Sequence, residues 1–164
     1  MDGADVARCA LRAVVGGTMI AHGVRHARTL DGTAGWFESV GFRRPRVQAV
    51  ASAVVEVGAG VALVAGVATP LAASAVVGAM GVAAGSVHSA NGFFVVNEGY
   101  EFVLNLGVAS VALAALGPGR LSVDRVLGVD APLDGPRRAA LAAGLGVGAA
   151  AAQLALFWRR PESA

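Results

Sequence analysis

The sequence predicts an all-α membrane protein, a four-helix transmembrane bundle followed by a fifth, C-terminal transmembrane helix. Three observations carry that expectation. Of 164 residues, 55% are hydrophobic and only 15% are charged, where a soluble domain carries about 25% charge. The apolar residues fall in five long runs separated by turn-forming residues. Each run approaches the roughly 20 residues that a helix needs to cross a hydrocarbon core. A soluble Ala-rich bundle would need a polar face on every helix, yet 50–67 offers only Ser52 and Glu56, and 139–157 only Gln153.

The first run extends from Val6 to Val24, the second from Val47 to Val67 and the third from Leu71 to Val87. The fourth covers Tyr100 to Leu116 and the fifth Ala139 to Trp158. Between them lie Asp31-Gly32, Thr69-Pro70, Asn91-Gly92, Gly117-Pro118-Gly119 and Gly135-Pro136, all chain-turning combinations. Residues 1–125 form the four-helix core in this reading, and 126–164 a linker, the fifth helix and a short polar tail. Asp2 and Asp5 spoil a signal-peptide n-region and Arg12 interrupts its apolar stretch, so the first helix is expected to stay in the mature chain. Trp158-Arg159-Arg160 reads as an anchor at the membrane surface.

Small residues recur at helical spacing. Gly81 and Gly85, and Gly144 and Gly148, would let backbones approach closely, as lipid-embedded helices do. Ser52, Glu56 and Gly60 fall on one stripe, and Arg8, Arg12 and Gly16 on another. These faces are surfaces for neighbouring helices, partner subunits or a second copy of the chain. Several functions are excluded. A net charge of +2, from 13 arginines scattered among 11 acids, gives no nucleic-acid footprint. The single cysteine, Cys9, cannot form an intramolecular disulfide or a redox pair. With five spans, arginines divide five against seven between the two sides, which leaves orientation open.

Ionisable groups inside a span cost at least about 2.5 kcal/mol on insertion scales, so each calls for a partner or a job. At about 1.5 Å per residue, Arg12 lies roughly 9 Å deep and Glu56 near the midplane, which makes an Arg12–Glu56 ion pair the first expectation. His22, His88, Glu101 and Asn105 should gather near the opposite membrane face, roofed by a Trp36-Phe37 loop and a Phe93-Phe94 turn. That quartet has three readings: a quinone-like head group exchanging protons with His and Glu, a divalent metal, or histidines satisfied by backbone and water with no ligand. Within the five apolar runs no HxxxH or HxxE spacing occurs, which makes metal the weakest of the three.

Taken in order, these landmarks resemble the DoxX family of small bacterial membrane proteins. The resemblance rests on Arg12, Gly17 and His22-Gly23, then on Trp36-Phe37-Glu38 with Gly41-Phe42. It continues through Glu56 with Gly58 and Gly60, Gly66 with Thr69-Pro70, His88, Asn91-Gly92-Phe93-Phe94 and Gly99-Tyr100-Glu101, and closes on Gly117-Pro118-Gly119, Ser122 and Asp124. It implies a four-helix core in a bacterial plasma membrane, crossed several times, with both ends of the core in the cytoplasm. It further implies an accessory or quinone-facing subunit of a membrane oxidoreductase system, with redox-enzyme subunits as partners. In that reading His22, His88, Glu101 and Asn105 hold a quinone-like ligand and Arg12 with Glu56 form a buried anchor. No redox cofactor site is visible, so a partner chain would carry the electron-transfer centre. The rival readings are a non-catalytic scaffold for soluble redox enzymes and a small-solute transporter, the latter disfavoured by the lack of an inverted repeat.

Overall fold

The computed structural model describes residues 2–129 and 133–161. Its helices are α1 (Gly3–Arg28), α2 (Leu30–Ser39), α3 (Pro45–Ala65), α4 (Thr69–Ser86), α5 (Glu101–Leu116), α6 (Val123–Val126) and α7 (Gly135–Phe157), with short 3-10 turns at His88–Asn91 and Val95–Asn97. Among the described residues there is no strand, only an isolated bridge between Phe42 and Trp158. All five apolar runs are helical. By length and composition α3, α4 and α7 can each cross a bilayer, and α5 is a shorter apolar helix. The protein is an all-α membrane protein whose outer surface contacts lipid. Part of the expected linker, 130–132, and the polar tail from residue 162 lie outside the described residues.

Local chemistry sets the helix ends. Asp2 accepts from the Asp5 amide at 2.8 Å and starts α1, and Asp134 accepts from the Arg137 amide at 2.9 Å to start α7. Pro45, Pro70 and Pro136 sit in the first turns of α3, α4 and α7, where no amide donor is missed. The segment expected as a Trp36-Phe37 loop is instead α2. Its Phe37 is buried edge-on against Phe42, with ring centroids 5.0 Å apart, so it fills a core and roofs nothing.

Helices α1 and α3 run antiparallel and touch through small residues. A Cβ on Gly60 would lie 2.6 Å from the Gly16 carbonyl oxygen, and one on Gly23 would lie 2.8 Å from the Val57 amide nitrogen. Helices α4 and α7 run parallel. Gly78 faces Gly146, Gly81 faces Ala150 and Gly85 faces Leu154. The Gly81/Gly85 expectation therefore holds, but Gly144 and Gly148 have open space around them, and the α7 contact is made by Gly146. Gly146 lies two residues from each of the others, so it is turned well away from their side of the helix. Val15, Met19, Leu63, Val76, Leu106 and Leu113 form the central core. Across the α3–α7 gap, Gln153 donates to the buried Gln48 at 2.8 Å. Trp158 is tied inward as well, its indole N–H donating to the Val40 carbonyl at 2.8 Å.

These contacts separate two kinds of glycine. Gly60→Ala should destabilise the fold by about 1–3 kcal/mol, because the methyl group meets backbone rather than a movable side chain. Gly148→Ala should be neutral or slightly stabilising, since its methyl meets nothing. Thermal unfolding of both variants in one detergent checks the contrast.

Candidate functional site

Polar side chains collect at the two ends of the bundle. At the end where α1 begins, Arg12 is buried, at 5% exposure, and does not reach Glu56. Its guanidinium donates to the carbonyls of Leu63 at 2.8 Å, Val64 at 2.6 Å and Pro118 at 3.0 Å, and also to Leu121. Those of Leu63 and Val64 lie in the last turn of α3, where the dipole is negative, and Leu63 accepts from the capping Gly66 amide at 3.1 Å as well. Gly66 makes the approach possible. Its backbone is left-handed (φ 71°), and a Cβ there would lie 2.7 Å from the centre of the guanidinium.

The expected Arg12–Glu56 ion pair is thus corrected. Glu56 lies seven residues deeper in α3 than Leu63, roughly 10 Å along the axis, and backbone acceptors are nearer to Arg12. Other residues complete this junction. Arg138 donates to the carbonyls of Ala114 at 3.1 Å, Ala115 at 3.0 Å and Leu133 at 2.8 Å, and Arg8 to that of Leu116 at 3.1 Å. Asp124 accepts from the Ala68 amide at 2.9 Å and so secures the start of α4. Asp5 is also buried, which pushes its pKa upward. Backbone hydrogen bonds from Arg120 and Asp2 and the charges of Arg120 and Arg8 outweigh that, and the net shift is downward.

Glu56 has other partners. Its Oε1 accepts from Ser52 Oγ at 2.7 Å, while Oε2 lies 3.3 Å from His26 Nδ1. Ser52 Oγ is also 3.3 Å from His26 Nδ1. His26 Nδ1 is thus equally near Ser52 Oγ and Glu56 Oε2, and the three side chains make a polar chain from His26 to Glu56. Glu56 is buried at 6% exposure and His26 is half-buried, so the chain runs from near the α1 terminus into the apolar interior. The sequence reading missed His26, which lies beyond the first apolar run. Because α1 continues to Arg28, His22 and His26 form an HxxxH pair on one helix, so the expectation that no such spacing occurs is corrected, and that i, i+4 spacing was the available signal.

His22, His88, Glu101 and Asn105 do lie toward this second end, but they do not converge. His22 is exposed and stacks on Phe102, with centroids 5.9 Å apart and planes 22° from parallel. His88 Nδ1 pairs with the Glu98 carbonyl. Glu101 accepts from the Val95 amide at 3.0 Å and closes its own loop. Asn105 is exposed and donates to the Glu101 carbonyl at 2.9 Å, within its own helix. The Phe93 ring packs edge-on against Phe94 and Tyr100. Among the described residues no group of three or more His, Cys, Asp or Glu is placed to hold a metal ion.

A small bundle of apolar helices with polar side chains confined to buried or terminal positions defines an integral membrane protein. The DoxX family model matches residues 7–89, and the chain belongs to that family. The match takes in Arg12, His22, His26, Ser52, Glu56 and His88. Glu101, Asn105, Asp124 and α7 lie beyond it. No curated protein and no solved structure matches the chain.

Two outcomes follow from this geometry. Arg12→Leu should lose about 3 kcal/mol or more, because four carbonyls lose a charged donor. Arg12→Lys should restore only part of that, since an ammonium lacks the guanidinium's forked donors. Thermal unfolding and monodispersity in detergent read both variants. For Asp5, a pKa lowered in the folded state means that its stabilisation is fully present above the unfolded carboxylate value of 3.8. It is lost as pH falls through the lower folded value. Asp5→Asn should therefore flatten the acid side of a Tm-against-pH profile while leaving its slope above pH ~5 unchanged.

Proposed function

We propose that this protein is an accessory, quinone-facing subunit of a membrane redox system, lying in a bacterial plasma membrane with its helices crossing several times. The observation that carries the reading is the His26–Ser52–Glu56 chain. An acid in the middle of an apolar helix costs free energy to insert. Reduction of a quinone-like ring takes up protons as well as electrons, and a carboxylate linked to a half-buried imidazole can deliver them. His22 stacked on Phe102 offers a flat, exposed surface at the same end, beside Glu101. A quinone-like head group placed against it would have His26 one helical turn away. His88 and Asn105, already bonded to backbone, would contribute through their position more than through free donors.

Electron transfer itself would belong to partner redox-enzyme subunits, because the chain supplies proton-handling groups and no visible electron carrier. A scaffold that anchors soluble redox enzymes is the second reading. The observation favouring it is that His22, His88, Glu101 and Asn105 each satisfy separate local contacts.

The test is purification in native nanodiscs followed by mass spectrometry of small molecules and proteins. A quinone should accompany the wild-type protein at near-stoichiometric level and fall at least severalfold in His22→Ala. Glu56→Gln should retain the quinone but lose redox-coupled proton uptake. Redox enzymes without quinone would establish the scaffold instead, and a quinone level indifferent to His22 would sink the proposed site.

A further inference from the structure

The loop that joins α4 to α5 carries an apolar tip. Phe93, Phe94 and Val95 are all exposed, and Val96 is the most open of the four, at 86%. Such a run of exposed apolar side chains marks a contact with another protein or with a membrane. The tip is continuous with the lipid-facing surface of the bundle, because Phe102 and Leu104 at the start of α5 are exposed too.

Helix length decides between the two. The 16 residues of α5 extend about 24 Å, whereas a hydrocarbon core is about 30 Å thick. The Leu116 end is held at the level of charged groups, since Arg8 and Arg138 bond its last carbonyls. Guanidinium groups at helix ends settle among lipid head groups. The Glu101 end therefore stops roughly 6 Å short of the opposite boundary, and any tilt widens that gap. The chain leading into α5 lies at this boundary, where its apolar tip meets acyl chains.

The loop backbone suits that depth. Irregular backbone beside hydrocarbon is tolerated where its polar groups are satisfied within the protein. The amides of Asn97, Glu98, Gly99, Tyr100 and Glu101 all donate to carbonyls of residues 92–95, at 2.9–3.0 Å. The Val95 amide donates to the Glu101 carboxylate at 3.0 Å, which clasps the tip to the start of α5.

We infer that residues 93–96 form a membrane-inserted tip, held closed by Glu101, which completes the span that α5 leaves short. Its partner is the bilayer itself at the edge of the hydrocarbon. The inference invokes no ligand and stands apart from the quinone reading.

Spin labelling of the full chain in phosphatidylcholine nanodiscs tests it. Cys9→Ala removes the single cysteine, and Val96→Cys then carries the nitroxide at a position open enough to accept it. Val54→Cys, on the exposed side of α3, is the lipid reference. Molecular oxygen, which concentrates among acyl chains, should relax the Val96 label severalfold more than a water-soluble nickel chelate, as at Val54. The reverse order would place the tip in water, free for a protein partner, and overturn the inference. Glu101→Ala should release the clasp and raise nickel collisions at Val96 severalfold, whereas Glu101→Gln, which keeps an acceptor oxygen, should not. Nickel access indifferent to Glu101→Ala would overturn the clasp.

Discussion

The Arg12 guanidinium holds the bundle together at one end, through backbone carbonyls rather than through an acid. A helix that stops near the membrane surface leaves four carbonyls without intrahelical partners, and water reaches them poorly when they are packed between other helices. Arg12 on α1 bonds two carbonyls in the last turn of α3 and two of the 118–121 segment that follows α5. One side chain thereby fixes three parts of the chain. The close α1–α3 packing at Gly16 and Gly60 sets the helices near enough for its reach. Arg138 and Arg8 do for the end of α5 what Arg12 does for α3.

This use of Arg12 leaves Glu56 without an arginine partner. Glu56 is held instead by a hydroxyl and an imidazole. The bundle thus has one end where arginines bind backbone carbonyls and another where His26, Ser52 and Glu56 meet.

Much of the fold was legible because apolar runs and turn residues report directly on helix extent. The run from Tyr100 to Leu116 differs from α5 by one residue. The Gly81/Gly85 face was legible too, since both residues lie on the stripe that meets α7. What a sequence does not display is which backbone atoms are near. Arg12 looks for an anion in one dimension, and Glu56 is the obvious candidate; the carbonyls it uses have no side-chain signature. The choice of Gly146 over Gly144 and Gly148 depends on how α7 is rotated against α4, which an Ala/Gly-rich helix with weak amphipathicity hardly records. His26 was overlooked because it falls past the apolar run, although α1 continues to Arg28. The grouping of His22, His88, Glu101 and Asn105 at one end followed from alternating helix directions, but their separate hydrogen bonds depend on loop geometry around 93–98.

A double-mutant cycle on stability with Arg12→Gln and Glu56→Gln tests most directly the claim that Arg12 acts on backbone carbonyls. The account predicts that the two losses add to within about 0.5 kcal/mol, because the side chains share no partner. A coupling energy of about 1 kcal/mol or more would show that they interact as an ion pair and contradict it.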